Sequence, residues 1–331
     1  MNILELLTLR APEIDKIMEE IIPRNAEPKT IYPLIWEFLD RGGKRFRPLL
    51  TLLCCRAVGS EYEGIKKAAA AFEIFHNFTL VHDDIEDNSL KRRGKPCIHI
   101  TNGIPLAINA GDGLFVYVWK AVEEANIPKD KLQRSIHIYN KAFKGVLDGQ
   151  GWEIGWFTYN KWDLTEEDYL MMVKGKTGAL IAGACELGAY LGDGTEKQIE
   201  VLRDFGLAVG IAFQIQDDIL DIVGDNKKFQ KIIKGDITEG KRTLIVINTL
   251  EKCTPEERDF LTKTLDSHTE DEELKNKVVE LFEKYDSINY SKEFAKNIIN
   301  KEKEKLNKEL KDSEAKEKLL SMADFFINRE F

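Results

Sequence analysis

Residues Lys66 to Asp87 read KKAAAAFEIFHNFTLVHDDIED, a long run rich in alanine that contains neither glycine nor proline. Such a run favours helix over strand. The same periodicity recurs along the chain, with helices expected over Thr30 to Leu39, Pro48 to Val58, Leu106 to Glu124, Lys129 to Gln150, Thr165 to Leu191 and Lys197 to Asp221. Further helices are expected over Lys241 to Glu251, Pro255 to Ser267, Asp271 to Tyr285, Ser291 to Leu310 and Ala315 to Ile327. Strand signals are weak throughout. Breaks fall at Arg93–Pro96, Asn102–Pro105, Gly192–Gly194 and Gly224–Asn226, and are short enough to imply roughly antiparallel neighbours. No stretch looks like a linker, so the expectation is one all-α domain over residues 1–331.

The long run ends on Asp83-Asp84-Ile85-Glu86-Asp87, and the pattern returns at Asp217-Asp218-Ile219-Leu220-Asp221. Each motif follows a largely apolar stretch, FTLVH or IAFQIQ. Residues one and five of such a motif lie a turn apart, about 6 Å along the helix and ~40° around it. Asp83 therefore shares a face with Asp87, and Asp217 with Asp221. Both motifs close a helical run, where the helix dipole disfavours negative charge unless a cation is near. Packed carboxylates in apolar surroundings need such a partner. Oxygen-only ligands select Mg²⁺ or Ca²⁺ over zinc or copper, and neither segment has the spacing of an EF-hand.

Cations occur in tight groups. Gly42-Gly43-Lys44-Arg45-Phe46-Arg47-Pro48 places three beside a flexible glycine pair, and Arg92-Arg93-Gly94-Lys95-Pro96 follows the first acidic motif. Lys174-Gly175-Lys176-Thr177 lies in an apolar helix, and Lys231, Lys234 and Lys241-Arg242 follow the second motif. Arginine suits two-pronged contacts to phosphate and lysine acts as a point charge. Together the groups suit a diphosphate. The net charge of −9 over 331 residues argues against a general nucleic-acid binder. Five scattered cysteines without C-x-x-C spacing fit free thiols in a reducing cytoplasm, and no apolar run reaches membrane-spanning length.

In chain order the motifs run GGKRFRP, FHNFTLVHDDIEDNSLKRRGKP, INAGD, GQ, KTG, FQIQDDILDIVGD and KGDITEGKRT. This series resembles the trans-isoprenyl diphosphate synthases, over about Asp40 to Leu250. The resemblance implies the isoprenoid synthase fold, a single-domain bundle of long helices around a deep central cavity, working as a homodimer. It implies Mg²⁺ as cofactor, three ions with substrate bound and Mn²⁺ as a substitute. Asp83 and Asp87, supported by Asp84, would bind the metal on one wall, and Asp217 with Asp218 and Asp221 on the facing wall. Arg92, Lys176, Lys231 and Lys241 would hold the diphosphate of an allylic substrate. Lys44, Arg47, His76 and Arg93 would hold isopentenyl diphosphate, with Gln150, Thr177 and Gln214 lining the reacting centre.

Two departures stand out. Gln230-Lys231 replaces the usual Gly-Lys pair, and Glu153 stands where an Asp is common. The resemblance also places the chain-length determinant ahead of Asp83. Phe78, five residues before it and followed by small Thr79, is expected as the floor of an apolar tunnel, which suits a geranylgeranyl product. Phe75, two turns before Asp83, would narrow the tunnel too, so farnesyl or a mixed product is the alternative. A terpene cyclase would carry a different second metal motif, and a non-catalytic partner subunit would tend to lose acidic motifs that this chain keeps.

Overall fold

The computed structural model describes residues 3–62, 64–223 and 234–327. Apart from one two-residue hairpin, the regular elements among them are helices, so the all-α expectation holds. The chain forms two compact units. The first comprises Met1–Tyr139, Gly183–Leu202 and Leu310–Leu319, and the second Asn140–Ala182, Arg203–Glu309 and Leu320–Phe331. Their boundaries include points inside helices rather than at a linker.

In the first unit, α1 (Ile3–Ile21), α2 (Tyr32–Leu39), α3 (Phe46–Ala57), α4 (Ile65–Glu86), α5 (Ile98–Asn102) and α6 (Ile104–Glu124) follow one another, with strands β1 (Lys91–Arg92) and β2 (Lys95–Pro96) after α4. Helix α4 packs against α1, α3 and α6. Its stretch Ala68–Ala71 is fully buried, and the Tyr139 hydroxyl donates to the Ala68 carbonyl at 2.7 Å. Near the acidic end of α4, Gly111 of α6 lies against His82, where an added Cβ would stand 2.4 Å from the ring.

In the second unit, α7 (Lys129–Thr158, which starts in the first) is followed by α8 (Glu166–Val173), a π-helical turn (Lys174–Gly178) and α9 (Ala179–Leu191, which ends in the first). Helix α10 (Glu196–Val223) carries the second acidic motif at its end. Thr165 and Asp168 form a capping box that starts α8. The π-helical turn departs from a continuous α-helix over Thr165 to Leu191, a local change common at functional sites. It sits tightly on α7, where a Cβ on Gly149 would come 2.0 Å from the Lys176 amide nitrogen. On α10, a Cβ on Gly210 would come 2.6 Å from the Gly178 Cα.

The structure extends the sequence reading in places. Helix α1 had no counterpart in it, since Pro12 interrupts its pattern; α7 runs past Gln150 to Thr158; and a short helix occupies Gly235–Glu239. The break at Arg93–Pro96 is a hairpin in which Arg92 pairs with Lys95. Its two loop residues, Arg93 and Gly94, both have positive φ (52° and 77°), the requirement of a type I′ turn. No described helix is long and apolar enough to cross a membrane.

Candidate active site

In the first unit a buried guanidinium organises the glycine-rich loop. Arg45, 3% exposed, precedes α3 with φ 47°. It donates to Asp15 at 2.7 Å, to Glu73 at 3.1 Å and to the Leu39 carbonyl at 3.1 Å. Arg93, held out by the hairpin turn, donates to the Gly42 carbonyl. The first two basic motifs are thereby joined. Arg47 lies in the first turn of α3, and burial pushes its pKa down to about 10, with Glu73 opposing and Arg93 adding to the fall. Lys44 is exposed on the same loop.

His76 faces this cluster. Desolvation, then Arg47, Arg93, Arg92 and Arg45, hold its pKa well below the ordinary imidazole value of 6.5. It is therefore neutral at pH 7, able to accept or donate a hydrogen bond without adding charge. The unfolded chain binds a proton near pH 6.5 that the folded protein refuses, so stability falls as pH drops through that value. Thermal melting between pH 7.5 and 5 should show this loss in the parent and a smaller one in His76→Gln. Equal slopes would show that His76 does not contribute it.

The last turn of α4 separates three aspartates. Asp87 is exposed and Asp83 half-buried, whereas Asp84 is buried. The Asp87 amide donates to the Asp83 carbonyl at 2.8 Å, so helical register persists through the motif. Asp84 accepts from Arg92 Nε at 2.7 Å. Burial works against the charge on Arg92, but Asp84 and then Asp83 outweigh it and raise its pKa.

One to two turns back, the α4 aromatics form a cluster that the sequence showed only in part. The rings of Phe75 and Phe78 are 5.4 Å apart, and Phe115 of α6 stands 5.3 Å from Phe78 and 6.2 Å from Phe75. Phe75 is only 4% exposed, which makes it core, while Phe78 retains exposed surface. Thr79 donates its hydroxyl to the His76 carbonyl at 2.9 Å. Phe115 was missed because nothing in α6 alone marks it; only the packing of α6 on α4 brings it there.

In the second unit, Lys176 forms an ion pair with Glu153, the residue that departs from the common Asp. Thr177 donates to Gln214 Oε1 at 2.9 Å, and Gln214 donates to Asp218 Oδ1 at 2.9 Å. Glu153, Lys176, Gln214, Asp218 and Lys241 line a cavity of about 50 Å³. Gln150 is half-buried on α7, one residue from the close contact at Gly149. Burial opposes the charge on Lys241, yet Asp236 and Glu239 outweigh it and raise its pKa; Asp236 Oδ1 accepts from it at 2.8 Å. Asp236 was not singled out from the sequence, although it lies inside KGDITEGKRT. Its amide also donates to Asp221 Oδ2 at 2.9 Å. Asp217 and Asp221 are half-buried and Asp218 is buried. Lys231 lies outside the described residues.

Among the described residues no group of three or more His, Cys, Asp or Glu is gathered to hold a metal ion. The donor chemistry still fits a hard cation. Each motif offers half-buried or exposed carboxylates one turn apart at a helix end, and Mg²⁺ usually takes one or two protein carboxylates, completing its shell with water and phosphate.

A family model described as polyprenyl synthetase matches residues 28–282. The short chain isoprenyl diphosphate synthase of Methanothermobacter thermautotrophicus is 36% identical over 330 residues, covering 100% of this chain and 99% of that protein. The geranylgeranyl diphosphate synthase of Saccharolobus solfataricus is 37% identical over 304 residues, 91% of each chain. Among solved structures, geranylgeranyl pyrophosphate synthetase from Pyrococcus horikoshii matches with a TM-score of 0.94 at 36% identity, covering 99% of this chain and 98% of that one.

Proposed function

This chain belongs to the polyprenyl synthetase family, and on that premise we propose that it condenses isopentenyl diphosphate with allylic diphosphates to make geranylgeranyl diphosphate. The observation that carries the reading is the repeated arrangement of an acidic motif closing a helix beside a cation already ion-paired to a carboxylate. Mg²⁺ held by Asp83 and Asp87, and by Asp217 and Asp221, would neutralise a leaving diphosphate. Arg92, Lys176 and Lys241 add positive charge where negative charge develops. Lys44, Arg47, His76 and Arg93 bind the diphosphate of isopentenyl diphosphate and orient its double bond for attack on the allylic cation. Thr177 and Gln214 set the polarity near the breaking bond. The new carbon–carbon bond leaves a tertiary cation that loses a proton to the departed diphosphate, which gives an allylic product one isoprene unit longer.

The aromatic cluster supports a stop at geranylgeranyl, with Phe78 presenting the surface that the growing tail meets. A farnesyl product is the second reading, favoured by the third ring, Phe115, closing on the other two. We also propose a homodimer, supported by the exposed apolar residues Ile104, Ile108 and Val116 of α6. Incubation with isopentenyl diphosphate, Mg²⁺ and each of the dimethylallyl, geranyl and farnesyl primers, followed by sizing of the products, tests the proposal. All three primers should converge on the geranylgeranyl product, from protein that sediments as a dimer. Absence of any condensation would reject the activity; a farnesyl end point would select the second reading.

A further inference from the structure

Tyr169 belongs to no motif of the sequence, yet its hydroxyl donates to Asp218 Oδ2 at 2.9 Å. A tyrosine 1% exposed must find a partner for its O–H group, and this one is taken from the middle of the second acidic motif. The other oxygen, Asp218 Oδ1, accepts from Gln214 one helical turn earlier. Gln214 is fixed in turn by Thr177 in the π-helical turn. Both oxygens of a carboxylate 5% exposed are therefore committed, to α8 and to α10 itself.

Helix geometry says what this commitment does. Asp218 lies about 100° around the helix from Asp217, whereas Asp217 and Asp221 lie ~40° apart. Drawing Asp218 inward leaves the other two on a more open face, where both are half-buried. The need for a clamp is electrostatic. Asp217 and Asp221, one turn apart at a helix C-terminus, repel each other and the dipole, which favours fraying of the last turns.

We propose that Tyr169 is a positioning residue that, with Gln214, makes Asp218 a fixed anchor for the end of α10, so that Asp217 and Asp221 form the metal-binding pair of that motif. The last clause rests on the metal-dependent function proposed above; the clamp itself stands on the hydrogen bonds.

The test compares Tyr169→Phe, Asp218→Asn, the double variant and Asp217→Asn by turnover and by thermal melting, which confirms that each folds and reads the rise in melting temperature given by Mg²⁺ with inorganic pyrophosphate, expected to shrink in Tyr169→Phe. Losing a group that orients metal ligands costs about 10- to 100-fold in activity or metal affinity. Tyr169→Phe should therefore lower kcat and raise the Mg²⁺ concentration for half-maximal rate by factors in that range, with KM for isopentenyl diphosphate nearly unchanged. Asp218→Asn should lose a similar amount, far less than Asp217→Asn, and the double variant should be no worse than the poorer single one, because both changes break one link. Parental kcat and Mg²⁺ dependence in Tyr169→Phe would overturn the inference, as would losses that multiply in the double variant or an Asp218→Asn loss equal to that of Asp217→Asn. Parental turnover in Asp217→Asn would instead reject the metal role of the motif.

Discussion

Asp83→Ala and Asp217→Ala each lower turnover by about a thousandfold or more while the protein stays folded. A bound divalent ion contributes several kcal/mol of transition-state charge stabilisation, and losing about 4 kcal/mol slows a reaction roughly a thousandfold. Both residues are half-buried on the last turns of their helices, so truncation leaves little cavity and removes mainly charge. Steady-state rates at saturating Mg²⁺, set beside circular dichroism of each variant, decide the matter. A variant within tenfold of the parent would remove its motif from the chemistry.

Phe78→Ala shifts the product toward chains at least one isoprene unit longer. Phe78 lies about a turn and a half before Asp83 on α4, so under the proposed function a tail running back along the helix from its diphosphate would meet this ring early. Phe75 and Phe115 flank it at 5.4 and 5.3 Å. Removing the middle ring opens space between two others that remain, and the buried Phe75 keeps the core intact. Phe75→Ala, by contrast, leaves a core cavity and should cost about 3–5 kcal/mol of stability. Product sizing of Phe78→Ala beside the parent is the measurement. An unchanged product would move the floor of the tunnel to Phe115 or to elements farther along α4.

The helices were legible because their apolar periodicity is local, and the acidic and basic motifs because their chemistry is. What remained hidden depends on rotation and on contacts distant in sequence. Asp83 and Asp84 are adjacent and chemically identical, yet the ~100° between neighbours on α4 leaves the first half-buried and buries the second against Arg92. Glu153 read as a minor departure, and its pairing with Lys176 needs α7 and the π-helical turn to meet across glycine. Tyr169 looks like any core aromatic until its hydroxyl is seen at Asp218. Helix α1 escaped notice because Pro12 breaks its pattern, although Leu6, Leu7, Ile14, Ile17 and Met18 bury one side of it. Arg93–Pro96 has too few residues to announce a strand pair, and the positive φ values of Arg93 and Gly94 are what reveal the turn.

Arg92 leans on Asp84, Lys176 on Glu153 and Lys241 on Asp236. A bare phosphate that recruited these cations would strand their carboxylates, and lone magnesium would compete with the same cations for acidic partners. Under the proposed function, metal and diphosphate arriving together would let the positive side chains turn to oxygen on phosphorus while the metal's charge offset the acids they leave. Local neutrality would then survive the exchange. Such a protein would weigh its visitors by ionic stoichiometry, favouring a metal-laden diphosphate over orthophosphate.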